Sequence, residues 1–190
     1  MKMTYFFGTD ISTESVYDFM LFLNECNKNN AGVIEVYFRS VGGDLEGYYA
    51  LKEALEVSEI PIHIKCTGIM ASAAFMLFYF TDNVIKSMTH SAYGLVHLAT
   101  TLHDDRDSRK PNSFTQANKN HLDKMNAEFL ALYKKHKVLT SAQLKLIDKG
   151  EDVMLIYEDL YKIMQKCPFG TFLRDGEQII FEGPDTDSGE

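Results

Sequence analysis

CTGIMASAAFMLFYF, residues 66–80, is the stretch of sequence that decides the fold. A predicted strand over residues 60–66 leads into it, Gly68 breaks the chain, and the apolar run 71–80 predicts a buried helix. The most apolar part, residues 69–80, is shorter than the ~20 residues that cross a bilayer. A strand followed by an all-apolar helix therefore indicates the centre of a protein core.

Strands and helices alternate on both sides of this segment. After a predicted cap at Ser12, Val16, Met20 and Leu23 recur at the spacing of one helix face. Such alternation predicts βαβ units around a largely parallel sheet, so the predicted fold class is α/β. The predicted strands cover residues 4–7, 33–38, 84–88 and 92–98, and a second helix covers residues 45–55.

The second half of the chain is predicted to be mostly helical. A polar linker over residues 101–112 precedes a long helix, 114–136, whose apolar stripe indicates packing against the body or another subunit. Thr140 or Ser141 is the predicted cap of the next helix. That helix runs to about Lys149, the last helix covers 157–166, a short strand covers 178–181, and the acidic tail 183–190 is predicted to be disordered.

Composition and charge exclude several classes of protein. The 190 residues carry 27 acidic against 19 basic side chains, a formal charge of −8 that repels nucleic acid and anionic lipid, so neither is an expected partner. The chain has three cysteines, Cys26, Cys66 and Cys167. An odd number of cysteines without metal-ligand spacing predicts reduced thiols in a cytoplasmic protein. No signal peptide, cofactor or metal is predicted.

Three features could carry chemistry together. Ser72 follows a strand and starts an apolar helix, His97 lies near the end of a predicted strand, and Gly42-Gly43 forms a turn before a helix. Taken singly, each has an ordinary structural explanation: a helix cap or packing residue, a core histidine and a tight turn. Together they are the nucleophile, base and backbone N–H donors that serine hydrolysis requires.

The pattern resembles the proteolytic subunit family of Clp protease and its relatives in the crotonase-like superfamily. FRSVGGDLEGYYALKEAL (38–55) resembles the family's Ser-Pro-Gly-Gly segment and the helix that follows it. CTGIMASAAFMLFYF (66–80) resembles the nucleophile segment, and SAYGLVHLAT (91–100) the strand that delivers the histidine. Gly43 precedes Ser72 by 29 positions and His97 follows it by 25, which is the family's register. The resemblance covers about residues 4–165.

The resemblance implies a fold and a set of site residues. The fold would consist of repeated β-β-α units in a spiral with a protruding handle helix, as one domain over residues 1–182 with the handle at about 99–138. Ser72 would be the nucleophile, His97 the base, and the N–H groups of Gly43 and Ala73 the oxyanion hole. GEDVMLIYEDL (150–160) resembles the segment that supplies the third triad member. That member is predicted to be Asp152, with Asp148 and Asp159 as alternatives.

Assembly and partners also follow from the resemblance. Family members form rings of identical subunits that take peptides or unfolded proteins as substrates. Val41 stands where the family has proline, which removes a rigid restraint from the oxyanion turn. The sequence begins almost at the first strand, without the segment that contacts the unfoldase ATPase in the family, so dependence on a Clp-type ATPase is in doubt.

Three functions remain open at this stage. The first is a serine endopeptidase, independent of ATP or dependent on a partner, that works through a Ser-His-Asp triad and an acyl-enzyme. The second is a catalytically silent scaffold that keeps the ring-forming surfaces. The third is an acyl-CoA enzyme of the crotonase type, which would need a Glu or Asp acid/base that the Ser72 segment does not supply.

Overall fold

The structure is a computed structural model that describes residues 1–100, 113–174 and 177. The predicted linker 101–112, strand 178–181 and tail 183–190 lie outside the described residues. The chain divides into two compact units. Met1–Leu95 and the described residues from Met154 onward form the first unit, and the described residues of Val96–Val153 form the second.

Strands and helices follow one another along the chain as the alternating pattern predicts. The elements are β1 (Lys2–Phe7), α1 (Thr13–Lys28), β2 (Val33–Ser40), α2 (Leu45–Glu56), β3 (Ile62–Ala71), α3 (Ala73–Phe80), β4 (Ile85–Met88), β5 (Tyr93–Val96), α4 (Ser113–Lys135), α5 (Ser141–Asp148), β6 (Val153–Leu155), α6 (Tyr157–Met164) and β7 (Thr171–Phe172). The strand order is β1-β2-β3-β4-β7, and these neighbours pair in parallel. Strand β5 pairs with both β3 and β6. The predicted α/β class is therefore confirmed.

The central sheet has one buried face and one more exposed face. In β3 the side chains of Ile62 and Ile64 are buried, whereas His63 and Lys65 between them are only partly buried, as the alternation predicts. Helix α3 is buried along its whole length, at all eight of its residues. On the other face, Phe6 is 74% exposed and stacks on Tyr37 with ring centroids 5.1 Å apart.

The predicted boundary between β3 and α3 is wrong by several residues. The strand does not break at Gly68 but continues to Ala71, because its second half pairs with β5 from Ile69↔Tyr93 to Ala71↔Leu95. A side chain at Gly68 would meet Arg39 of the neighbouring strand at 2.9 Å. The glycine therefore makes room for a cross-strand neighbour, and Ser72 becomes the link between strand and helix.

The second unit is helical over most of its described length. Met125 and Phe129, from the predicted stripe of α4, are buried, while Leu122 and Leu132 are half-buried. Thr140 rather than Ser141 caps α5, because its hydroxyl accepts the N–H of Gln143. Over the part of the chain that the structure describes, no helix is both long and apolar enough to cross a membrane.

Candidate active site

Ser72 is held in a strained turn between β3 and α3. Its backbone lies at φ 55° and ψ −125°, a region that residues with a side chain rarely occupy. Its N–H donates to the Leu95 carbonyl at 2.8 Å, and its own carbonyl accepts the N–H of Met76. The side chain is partly exposed while Ala71 and Ala73 on either side are buried. The turn therefore leaves the Ser72 hydroxyl partly exposed between two buried alanines.

The glycine turn packs directly against Ser72. Gly42 and Gly43 have φ values of 91° and 144°, which favour glycine. A Cβ on Gly42 would lie 2.8 Å from the Ser72 Cβ and 3.0 Å from the Ala73 nitrogen. A Cβ on Gly43 would lie 2.1 Å from the Ile11 carbonyl oxygen. Neither position has room for a side chain, so the turn depends on both glycines.

Two backbone N–H groups beside Ser72, those of Gly43 and Ala73, have no acceptor among the described residues. Ile11 bonds to the turn on both sides of Gly43: its N–H donates to the Gly42 carbonyl, and its carbonyl accepts the Asp44 N–H. The Gly43 N–H takes no part in this pairing. Ala73 is the first residue of α3, where helix N–H groups lack an intrahelical partner. Within residues 1–100, 113–174 and 177, neither N–H donates a hydrogen bond. Such free donors are what an oxyanion would need.

His97 and Asp152 face each other in the second unit. His97 directly follows β5, so the predicted strand over residues 92–98 is shorter than expected, and Asp152 directly precedes β6. The His97 Nδ1 lies 3.5 Å from the Asp152 Oδ1, with side-chain exposures of 35% and 59%. At this separation a carboxylate is close enough to influence the orientation of the imidazole ring.

The two alternative acids lie elsewhere. Asp148 is the last residue of α5 and is exposed. Asp159 lies in the first turn of α6, where its carboxylate is 3.9 Å from the Lys162 ammonium. Among the three predicted acids, only Asp152 has an ion pair with His97. Among the residues described here, no three His, Cys, Asp or Glu side chains come together as a metal-binding group.

A buried lysine stands at the far end of the nucleophile helix. Lys86 has no exposed surface, and its Nζ donates to the carbonyls of Tyr79 at 3.0 Å and Phe169 at 2.9 Å. Burial lowers the pKa of Lys86 to about 8 because desolvation penalises the ammonium form. Burial likewise raises the pKa of the nearby Cys167 thiol, whose single S–H lies within hydrogen-bond reach of the same two carbonyls.

Sequence reasoning missed Lys86, Ile11 and Ser40. The Ser40 hydroxyl accepts the Gly42 N–H at 3.1 Å and so fixes the start of the glycine turn. A signal for Lys86 did exist: it lies two residues from Val84 and two from Met88, both buried, and side chains at that spacing in a strand share one face. The Ile11 bridge left no signal, because it involves backbone atoms alone.

Comparisons with known proteins give a family and a fold. A model of the Clp protease family matches residues 5–155. The solved structure of a ClpP1 mutant from Listeria monocytogenes is similar, with a TM-score of 0.64 and 15% sequence identity over 91% of this chain and 93% of that chain. At that identity the likeness establishes the fold alone. A search of curated protein sequences finds no significant match.

Proposed function

The chain belongs to the Clp protease family, and on that premise we propose that it is a serine peptidase that hydrolyses peptide bonds through an acyl-enzyme. Its substrates would be peptides or unfolded proteins. The observation that carries the proposal is the Ser72 turn, because a strained backbone exposes a hydroxyl beside two N–H groups that lack a partner in the described chain.

The proposed reaction has two halves. In the first, the Ser72 Oγ attacks the peptide carbonyl carbon while His97 Nε2 takes the hydroxyl proton, and the new oxyanion accepts hydrogen bonds from the Gly43 and Ala73 N–H groups. His97 then gives that proton to the leaving amine as the C–N bond breaks. In the second half, His97 takes a proton from water and the water oxygen attacks the ester carbon. His97 then returns the proton to the Ser72 Oγ as the ester C–O bond breaks and the acid product leaves.

Several features support these roles. The Ser72 N–H donates to Leu95, and the sequence reaches His97 two residues later. The 3.5 Å separation between His97 and Asp152 supports Asp152, rather than Asp148 or Asp159, as the residue that orients the imidazole. The turn packs tightly without the proline that Val41 replaces, since the Ser40 hydroxyl and the Ile11 bridge hold it.

We further propose that the chain assembles into a homo-oligomeric ring. Helix α1 presents an exposed apolar stripe of Tyr17 (61%), Met20 (48%) and Leu21 (49%), here called the helix stripe. The opposite side of β1 carries Phe6, because Tyr5 packs under α1 on Phe19 and successive strand residues point to opposite faces. Two different apolar surfaces on one subunit favour head-to-tail contacts, which form a ring when the rotation between subunits closes.

Location and partners remain part of the proposal. The unpaired thiols of Cys26, Cys66 and Cys167 support a reducing compartment such as the cytoplasm. The net charge of −8 argues against nucleic acid as a partner. Whether a Clp-type ATPase delivers substrate is a separate question, since the proposed chemistry needs no ATP.

Labelling with a fluorophosphonate tests the nucleophile. Intact mass should show one adduct on the wild type and none on Ser72→Ala. Because His97 would act as general base, His97→Ala should label at least about 100-fold more slowly. Asp152→Asn should also label slowly because the imidazole loses its orienting carboxylate, whereas Asp159→Asn is a matched control that should label at the wild-type rate. Cleavage of an unstructured peptide should follow the same order.

The opposite results point to the other functions. A folded, oligomeric wild type that takes no adduct and cleaves no peptide would favour the scaffold. Labelling that is lost in Asp159→Asn but kept in Asp152→Asn would reassign the third member. Acyl-CoA turnover that survives in Ser72→Ala would favour the crotonase-type enzyme.

A further inference from the structure

Helix α3 connects the proposed nucleophile to a buried polar cluster at its other end. Its eight residues, Ala73–Phe80, span about 12 Å. So short a helix is marginal by itself and takes its position from tertiary contacts. All eight residues are buried and only eight residues separate the two ends, so contacts at the carboxyl end of α3 bear on the position of Ser72 and the Ala73 N–H.

Lys86 fixes that carboxyl end to two other parts of the first unit. Its side chain starts on β4 and donates to the carbonyl of Tyr79, in the last turn of α3, and to that of Phe169, just before β7. Its backbone lies in the sheet, where Lys86 pairs with Phe172 and its carbonyl accepts the Leu173 N–H at 2.8 Å. One residue thus joins a strand, a helix end and the segment leading to β7.

A lysine at this buried position carries a free-energy cost. Burying an ammonium is costly, and packed apolar side chains often serve stability equally well or better. The carbonyls of a helix C-terminus are, however, a favourable partner for a positive charge. The single S–H of Cys167 can donate to either carbonyl but not to both at once, so one of the two would keep a donor if Lys86 were replaced. The other carbonyl could be satisfied by a neutral donor, so hydrogen bonding alone does not explain a charge here.

We propose that Lys86 is a positioning residue for Ser72, acting through α3: by tying the Tyr79 carbonyl to β4 and to Phe169, it holds the nucleophile and the Ala73 N–H in place. The inference rests on the proposed peptidase function and deepens it. A displacement of about 1 Å at a reacting group can slow a reaction about 100-fold. Loss of Lys86 should therefore weaken reactivity more than it weakens the fold.

Thr81 offers a matched control at the same helix end. It is fully buried, and its hydroxyl donates to the Leu77 carbonyl at 2.6 Å. That bond lies within the α3 segment, so it ties the helix to no other element. Thr81→Val removes a buried hydrogen bond at the carboxyl end of α3 but leaves the Lys86 connections in place.

The test compares Lys86→Met, Lys86→Arg and Thr81→Val with the wild type. Fluorophosphonate labelling of Ser72 should slow about 10- to 100-fold in Lys86→Met and stay near the wild-type rate in Thr81→Val. On a peptide substrate the loss should be in kcat, with KM little changed. Lys86→Arg, which keeps the charge and the donors, should recover part of the rate. Thermal unfolding of each variant shows that the rates belong to folded protein.

Two results would overturn the inference. One is a Lys86→Met variant that labels like the wild type; the other is equal slowing in Lys86→Met and Thr81→Val, which would reflect general loosening. If Lys86→Met does not fold, Lys86→Gln, which keeps a donor without the charge, takes its place. If the wild type itself is not labelled, the proposed function fails. Amide hydrogen exchange then tests whether Lys86 holds α3 in place: exchange along α3 should be faster in Lys86→Met than in Thr81→Val.

Discussion

The turn that exposes Ser72 also strains its backbone. A side chain at φ 55° and ψ −125° costs on the order of 1–3 kcal/mol, and the surrounding contacts must hold it there. The Ser72 N–H bond to Leu95 and the contact with Gly42 supply that restraint. The strain is consistent with a residue kept for its hydroxyl rather than for its fit.

Substitution of Ser72 should separate strain from chemistry. Ser72→Ala keeps a Cβ and therefore keeps the strain, whereas Ser72→Gly relieves it. We expect Ser72→Gly to be more stable than Ser72→Ala by about 1 kcal/mol, after allowing for the greater freedom of glycine in the unfolded chain. Urea unfolding of the two variants measures the difference, and neither should react with a fluorophosphonate. Equal stabilities would show that the turn is relaxed.

At the scale of elements, the connection between β4, α3 and the Phe169 segment should respond to pH. The pKa of Lys86 is about 8 in the folded protein, mainly because of desolvation, against 10.5 for an ordinary lysine. Between those pH values the unfolded chain binds the extra proton, so Lys86 contributes stability that rises with pH. Asp82, Glu56 and Cys167 raise this pKa, and Lys52 lowers it.

The prediction is a difference between two proteins. From about pH 8 to about pH 10.5, the free energy of unfolding of the wild type should rise relative to Lys86→Met by up to about 3 kcal/mol. The comparison is needed because burial raises the pKa of Cys66 to about 12, which lowers the stability of both proteins in that range. Urea unfolding of both proteins at a series of pH values measures the difference in their free energies of unfolding. A constant difference would mean that Lys86 titrates as an exposed lysine does.

The elements differ in how well their sequence predicts them. Helices α1 and α5 were predictable because Ser12 and Thr140 form capping boxes, a signal confined to a few neighbouring residues. The three residues of β6 and the two of β7 were not, because such short strands exist only through their partners. The course of β3 beyond Gly68 was missed for the same reason: its second half depends on β5, more than 20 residues away.

The site shows the same division. Spacing and resemblance to a family predict Ser72, His97 and the two glycines as site residues, whereas Asp152 is one of three candidate acids. No local pattern distinguishes Asp152 from Asp148 or Asp159, and the distance to His97 is a tertiary property. The strain at Ser72 was also invisible, since backbone angles depend on how the glycine turn packs against it.

At the scale of the whole molecule, the proposed ring makes a prediction about mixtures. Phe6→Glu places a charge on the exposed sheet face and Leu21→Glu places one on the helix stripe, so each variant alone should be monomeric. In a head-to-tail assembly, the intact helix stripe of the first variant can still bind the intact sheet face of the second. An equal mixture should therefore form dimers and nothing larger.

Sedimentation velocity distinguishes the outcomes. Leu146→Glu is the matched control, because it makes the same change at an exposed leucine of α5 that lies on neither surface, and it should assemble like the wild type. Monomers in the equal mixture would contradict the head-to-tail contact. Wild-type assembly by either variant alone would place the subunit interface elsewhere.

The crowding around Gly42 and Gly43 affects which residues related chains would keep as they diverge. Both glycines are required by the backbone of Ile11 and Ala71, which leaves no room for a side chain, so the fold needs them whether or not the protein cuts anything. Ser72 is different, since its replacement by glycine would relax the chain. A lineage released from selection for proteolysis should therefore lose the serine first and keep the glycine pair long afterwards. In related chains, the glycine pair would indicate common ancestry, and the serine would indicate that proteolytic activity is retained.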